Sequence, residues 1–314
     1  MTATELSGRT VTVFGAGGFI GTNVCAALSL AGAKVHCFGR RSRLAIPYEP
    51  QSWFEAEFTD IDAVKAAVAG ADFVIHLLGG SSPAVYNNAP AQEVMANIIP
   101  SLGLLDACRN AGVGRVIFLS SGGTVYGPDV MTPTNETAPT NPISAYGIGK
   151  LAVEKYLGLF HHLFGLDYRV LRVANPFGPY QLPNRGQGFI AQAIQCALDH
   201  EPIEIWGDGS IVRDYIYVAD VANAVVRSLL HRGDERVFNI GSNVGLSLLD
   251  VISSIEHVVD KPFDITFLGS RPVDVQCSIL DTSRAKTSLG WKPQTDFLYA
   301  LENTKNWLIS YRGS

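Results

Sequence analysis

Between residues 10 and 173, short apolar runs alternate with longer stretches in which apolar positions recur every three or four residues. The runs predict strands over 11–14, 34–38, 53–57, 73–77, 115–120 and 168–173. The periodic stretches predict helices between them, the first over 23–31 and the longest over 89–111 and 144–164. Strand and helix in alternation predict an α/β fold built on a doubly wound parallel sheet, with ligands bound at the carboxyl ends of its strands.

The first strand runs into Gly15, Gly18 and Gly21, with Phe19 and Ile20 between the last two, and then into the first helix. That order suits a pyrophosphate, because unpaired N–H groups and the positive end of the helix dipole face the anion and glycine lets it approach. Glycines also make tight turns that hold no ligand. The second strand ends in Gly39, Arg40 and Arg41. A dinucleotide site commonly has a carboxylate there, on the adenosine ribose. Its absence beside two guanidinium groups suits a 2′-phosphate and hence NADP, the alternative being an exposed basic turn. Asp60 and Ile61 follow the third strand, where they either meet an adenine or, through Asp60, cap the next helix. Pro100 lies inside the 89–111 pattern and lacks the N–H that the carbonyl of Ala96 would accept, so the helix should bend beside Asn97.

The fifth strand opens into Ser120-Ser121-Gly122-Gly123-Thr124-Val125-Tyr126-Gly127, small residues and hydroxyls that let a ligand come close and bond to it. Tyr146 and Lys150, four apart, share one face of the following helix. A free phenol titrates at about pH 10, and a neighbouring ammonium should lower that value enough to make Tyr146 a general base.

The glycine turn, the 120–127 segment and Tyr146-x-x-x-Lys150 together resemble the extended short-chain dehydrogenase/reductase family. Leu171-Arg172-Val173-Ala174-Asn175-Pro176-Phe177-Gly178-Pro179, Gly207-Asp208-Gly209 with Arg213-Asp214, and the segments 237–241 and 289–293 extend the likeness over essentially the whole chain. It is closest to nucleotide-sugar 4-epimerases of the UDP-glucose/UDP-galactose type. The resemblance implies a Rossmann-type sheet domain, 1–174 with 215–241, and a smaller C-terminal α/β substrate domain, 175–214 with 242–314. It implies that Gly15, Gly18, Phe19, Ile20 and Gly21 hold the pyrophosphate of NAD or NADP, and Asp60 and Ile61 the adenine; Arg40 and Arg41 are candidates for the ribose on their own chemistry. Leu78, Gly79 and Asn97 would line the nicotinamide side. Tyr146 would be the catalytic acid/base and Lys150 its partner, also bonding the nicotinamide ribose. Thr124, Asn175 and Arg213 would contact the sugar nucleotide, and Arg271 and Asp274 its phosphate or uridine ribose.

Two departures bear on mechanism. Gly122 stands where the epimerases usually have a serine or threonine that bonds the reacting sugar oxygen, so Thr124 or Ser121 would have to replace it. Gly39 stands where NAD-retaining members have an acidic residue. The implied reaction is 4-epimerisation through a 4-keto sugar; the alternative is reduction of a 4-keto-6-deoxy nucleotide sugar by NADPH. Dehydration is disfavoured, since Gly123-Thr124 occupies the place of the Asp-Glu pair of the family's 4,6-dehydratases.

Composition narrows the partners. Hydrophobic residues at 47% and charged residues at 17% of 314 describe a globular chain with a large core. A net charge of −5 argues against nucleic acid or an anionic membrane, so a diphosphate would need the local positive site of Arg213 and Arg271. Cys25, Cys37, Cys108, Cys196 and Cys277 are scattered, with no metal-ligand spacing, and are expected as reduced thiols. The N-terminal residues carry no apolar signal core and no run spans a bilayer, which makes the cytoplasm the expected address. Trp206, Trp291 and Trp307 are expected as packing anchors. Pairing of two copies through the helices over 89–111 and 144–164 is implied by the resemblance alone.

Overall fold

The computed structural model describes residues 6–42, 44–79, 86–183, 188–262, 264–269 and 275–312. Strands β1 (Thr10–Phe14), β2 (Lys34–Phe38), β3 (Ser52–Phe54), β4 (Phe73–His76), β5 (Arg115–Ser121) and β6 (Tyr168–Val173) alternate with helices α1 (Phe19–Leu30), α2 (Ile61–Val68), α3 (Pro90–Glu93), α4 (Ile99–Ala111) and α5 (Ala145–Phe164). Beyond them come β7 (Asn175–Phe177), α6 (Phe189–Asp199), β8 (Ile203–Trp206), β9 (Val212–Tyr217), α7 (Val218–Leu230) and β10 (Val237–Ile240). The chain closes with β11 (Gly245–Ser247), α8 (Leu248–Val259), β12 (Ile265–Leu268), β13 (Cys277–Ser278), α9 (Ser283–Ser288) and α10 (Phe297–Arg312).

Seven parallel strands form the Rossmann-like sheet in the order β10-β6-β5-β4-β1-β2-β3. The order reverses direction at β1, which puts the glycine turn at the switch point where such sheets bind ligands. Alternation within β1 feeds both faces: Val11 and Val13 join the core under α1 and α7, and Phe14 joins the core under α2, α4 and α5. Thr12 is buried between them and donates its hydroxyl to the carbonyl of Ala67 at 2.8 Å. A second group of elements packs α6, α8 and α10 around a separate apolar cluster, with β11-β9-β13, β7 beside β9, and the pair β12-β8. Trp291, 1% exposed, ties α7 to the last segment through Nε1 and the carbonyl of Asp220 at 3.0 Å.

The third strand is shorter than the sequence suggests, and the long helix over 89–111 is broken. Between α3 and α4 a π turn spans Val94–Ile98. Proline at 100 removes the α-helical donor, as expected, and the neighbouring carbonyl of Asn97 is met by the Ser101 hydroxyl at 2.6 Å. The same hydroxyl lies 2.8 Å from His76 Nε2 at the end of β4.

Under α5 lies a buried polar cluster. Glu154 accepts from Arg172 of β6 at 2.6 Å and from Ser120 of β5 at 2.5 Å. The Arg172 guanidinium also lies over the ring of Tyr126 at 4.9 Å, and the Tyr126 hydroxyl donates to Asn239 of β10 at 2.6 Å. One carboxylate thus fixes the middle of α5 to two strands. All five cysteines are free thiols, Cys25, Cys37, Cys108 and Cys196 buried and Cys277 half-buried. Among the described residues no helix is long and apolar enough to cross a membrane.

His76 is 1% exposed, and burial, reinforced by the charge of Lys150, pulls its imidazole down to about 3. The folded state therefore keeps it neutral, while the unfolded chain takes up a proton below about pH 6.5. The stability this neutral form supports is present above that pH and lost as pH falls toward 3. We expect urea unfolding to show about 2 kcal/mol less stability at pH 5 than at pH 6.5 from this group. The decrement should vanish from the pH profile of His76→Gln; parallel profiles for the two proteins would refute it.

Candidate active site

At the carboxyl ends of β1, β4, β5 and β6 a cavity of about 950 Å³ opens between the sheet and the 175–215 region. Ile20, Gly79, Ser121, Thr124, Tyr146 and Lys150 line it from one side, and Asn175, Gln181, Trp206 and Arg213 from the other.

The glycine turn is closed by backbone contacts that leave no room for side chains. Gly15, at φ +90°, donates to the carbonyl of Phe38 at 3.0 Å and accepts from Gly18 at 3.1 Å. A Cβ at Gly21 would sit 2.1 Å from the oxygen of Gly15, so α1 starts in direct contact with the turn. A Cβ at Gly17 would sit 2.2 Å from the carbonyl oxygen of Arg40, so the segment after β2 abuts the turn as well. Gly18 caps α1 without any side-chain hydrogen bond, leaving the N–H groups of the first helical turn to an anion. These residues fit the pyrophosphate of a dinucleotide.

Beside the turn, Gly39 has φ +110°, a conformation that strains any residue with a side chain, and its carbonyl accepts from Trp53 Nε1 at 2.8 Å. Arg41 pairs with Glu55 at 3.3 Å and lies over the Trp53 ring at 5.5 Å. Arg40 is exposed and makes no ion pair among the described residues. Asp60 caps α2, its carboxylate accepting from Ala63 N at 3.0 Å, and Ile61 is exposed beside it. The capping role expected of Asp60 is present in the fold.

Ser144 caps α5 through Gly147 N at 3.1 Å and so starts the helix that presents Tyr146 and Lys150 to the cavity. The Lys150 ammonium donates to the carbonyls of Leu78 at 3.2 Å and Leu119 at 3.0 Å, and lies 5.7 Å from the centre of the Tyr146 ring. A Cβ at Gly79 would meet Lys150 Nζ at 3.2 Å and Asn97 Oδ1 at 3.7 Å, so these three predicted residues do converge. The expected lowering of the phenol by the ammonium is not what the structure yields. Burial pushes Tyr146 up to about 12, the Ser121 hydroxyl opposing and the charge of Glu93 adding to it. Burial also pulls Lys150 down to about 8, against Glu93 and Glu154. Both side chains are dominated by desolvation, which a helical spacing does not reveal.

Ser121 and Thr124 both line the cavity, whereas Gly122 faces away from it. A Cβ at Gly122 would meet Leu280 at 2.5 Å and the carbonyl of Arg172 at 3.1 Å. Thr124 Oγ1 is buried with no hydrogen-bond partner among the described residues. Asn175 donates to the carbonyl of Asp214 at 3.1 Å, which sets its place on the wall. Arg271 and Asp274 lie outside the described residues.

Some cavity residues escape a motif-based reading. Gln181 is 9% exposed, gives its amide to Pro176 O at 3.3 Å and has Oε1 buried with no partner among the described residues. Trp206 is 40% exposed on the cavity wall, unlike the buried anchor Trp291. Its signal was present: in Ile203-Glu204-Ile205-Trp206 the isoleucines alternate inward, which leaves the indole on the open face. Asn87 holds α5 by accepting from Ala145 N at 3.0 Å.

The model of the NAD dependent epimerase/dehydratase family matches residues 11–241. The chain is 34% identical over 303 residues to the UDP-glucose 4-epimerase of Mycolicibacterium smegmatis, covering 93% of this chain and 96% of that protein. It is 33% identical over 220 residues to an Escherichia coli dTDP-4-dehydro-6-deoxyglucose reductase, 70% of this chain and 69% of that one. Among solved structures, the UDP-glucose 4-epimerase of Thermotoga maritima with UDP-glucose superposes with a TM-score of 0.92 at 34% identity, over 97% of this chain and all of that one. The UDP-N-acetylglucosamine 4-epimerase of Methanobrevibacter ruminantium M1, in complex with UDP-N-acetylmuramic acid, superposes with a TM-score of 0.90 at 31% identity, over 98% and 100%.

Gly122→Ser is expected to cost about 1–3 kcal/mol by overpacking against Leu280, without placing a hydroxyl in the cavity. Thermal unfolding measures this, and an unchanged midpoint would mean that Leu280 moves aside freely.

Proposed function

The chain belongs to the NAD dependent epimerase/dehydratase family, and from this we propose that it is a nucleotide-sugar 4-epimerase acting on a UDP-hexose with a nicotinamide dinucleotide as cofactor. One arrangement carries the reading: Tyr146 faces the cavity with the Ser121 hydroxyl on its phenol, Lys150 behind it, and the unpartnered Thr124 hydroxyl in the same wall. A sugar hydroxyl placed there meets an acid/base and a hydrogen-bond partner at once. The nicotinamide supplies the acceptor and donor of hydride, so that the sugar passes through a 4-keto form. Tyr146 takes the proton of the 4-hydroxyl and returns it, Lys150 offsets the charge on the phenolate, and Thr124 replaces the hydroxyl that Gly122 lacks. Arg213, with Arg271, would hold the diphosphate, and Trp206 offers a flat face to the base. Gly79 and Gly123 leave the space near Tyr146 open, so a sugar anchored by its diphosphate can turn over.

Arg40, exposed beside the glycine turn, supports a 2′-phosphate and thus NADP, whereas the family's description names NAD. A second reading, one-way reduction of a 4-keto-6-deoxy nucleotide sugar, uses the same residues and is favoured by Arg40 and by the likeness to the reductase. Pairing of two copies is supported by apolar side chains left exposed along one side of α5 and the start of α4, among them Ile148, Leu159, Leu163 and Ile99. Sedimentation of the protein at the monomer mass would dismiss the pairing.

The deciding experiment follows UDP-galactose conversion to UDP-glucose and identifies the nucleotide released when fresh protein is denatured. Conversion without added cofactor, slowed roughly 10²–10⁴-fold in Tyr146→Phe and about 10²-fold in Thr124→Val, is expected. Full activity in Tyr146→Phe would sink the assignment. Empty protein that consumes NADPH with a 4-keto sugar would establish the reductase.

A further inference from the structure

Glu93 is a buried group that the reaction above does not use. It ends the short α3, is 4% exposed, and precedes the π turn. Its carboxyl rests on the backbone of α5: a Cβ at Gly149 would lie 2.5 Å from Glu93 Oε1, 3.0 Å from Cγ and 3.1 Å from Cδ. Gly149 is one residue before Lys150 and three after Tyr146, so the carboxylate meets α5 between the two reacting groups. Only glycine there admits it.

Several charged or titratable groups share this surrounding. From α5 come Tyr146, Lys150 and Glu154; from β4 comes His76, which feels the charge of Lys150. Glu154 is paired with Arg172 at 2.6 Å and bonded by Ser120. Glu93 acts on both Tyr146 and Lys150, favouring the proton on each. The Phe118 ring, with Nζ 4.8 Å from its centre, and two carbonyls complete the surroundings of the ammonium.

We propose that Glu93 is a positioning residue, a counter-charge seated on α5 at Gly149 that keeps Lys150 in its ammonium form beside Tyr146. Burial alone would drive the lysine toward its neutral form, and a neutral amine cannot offset a phenolate. A carboxylate packed against α5 beside Lys150 restores the charge without lining the cavity. It also explains why α5 carries glycine at a buried, mid-helix position where alanine would favour the helix.

This rests on the reading of Tyr146 and Lys150 given above, and its test does not require turnover. In the full chain and in Glu93→Gln, Lys150 is acetylated with trace acetic anhydride across pH 6 to 11 and the modified peptide is quantified by mass spectrometry. The wild-type midpoint is expected at about 8. Glu93→Gln keeps the shape and removes the charge, and should lower the midpoint by about half a pH unit or more. The alkaline limb of kcat/KM on UDP-galactose should move with it, while KM changes less than about twofold. A labelling midpoint equal to wild type would overturn the proposal. If Glu93→Gln does not fold, Glu93→Asp draws the carboxylate back from Gly149 and should shift the midpoint the same way by less, no shift again refuting it. Absence of epimerisation by the wild type would defeat the proposed function, yet leave the labelling result to decide on Glu93.

Discussion

The pairing of Glu154 with Arg172 is the constraint on which the arrangement of the site depends. It joins α5 to β6 at 2.6 Å, and Ser120 of β5 bonds the same carboxylate. Both charges are almost wholly removed from water, at 4% and 6% side-chain exposure, so removing either partner alone would strand the other at a cost of about 3–5 kcal/mol. Lys150 lies one turn earlier on α5 and Tyr146 one turn before that. The helix therefore cannot slide or roll without breaking the pair. Through Arg172, Tyr126 and Asn239 the same cluster reaches β10 and the loop carbonyls of Thr134 and Asp281.

The features most legible in the sequence are those set by neighbours along the chain. Gly15, Gly18 and Gly21 announce a turn because strand, turn and helix follow one another directly, and the structure places them at the switch point. Tyr146 and Lys150 announce a shared face because a helix has a fixed period. Proline at 100 announces a disturbed helix, and the π turn lies just before it. What stays hidden is set by contacts distant in sequence. The contact of Glu93 with Gly149 crosses 56 positions, and nothing local to either residue signals it. The upward displacement of the Tyr146 phenol follows from burial, a property of the packed molecule, where spacing alone suggests the opposite direction. Gly122 looks like a missing hydroxyl until its Cβ direction is known; it then becomes a position closed by Leu280.

The two sides of the cavity divide the work chemically. The sheet side offers a phenol, an ammonium, hydroxyls and glycines, all fixed by strand ends or by α5. The opposite side offers a guanidinium, amides and an indole, carried by β7, β8, β9 and the segment after β7. Groups that can exchange protons are thus mounted on the seven-stranded sheet and α5, and groups suited to grip are mounted across from them. Gln181 and Thr124, which both line this cavity, have buried oxygens with no hydrogen-bond partner among the described residues, and a ligand rich in hydroxyls would suit both.

The π turn at Val94–Ile98 has a consequence for how this chain can vary over time. It accommodates about one residue more than a continuous α-helix would need between Pro90 and Ala111. Deleting one residue there would close the turn into regular α-helix while the flanks keep their phase, so Glu93 would stay on α5. A deletion in the regular part of α4 would instead rotate everything upstream by about 100° relative to the rest of the helix. The length of this helix can therefore vary by one residue at the π turn more readily than within α4.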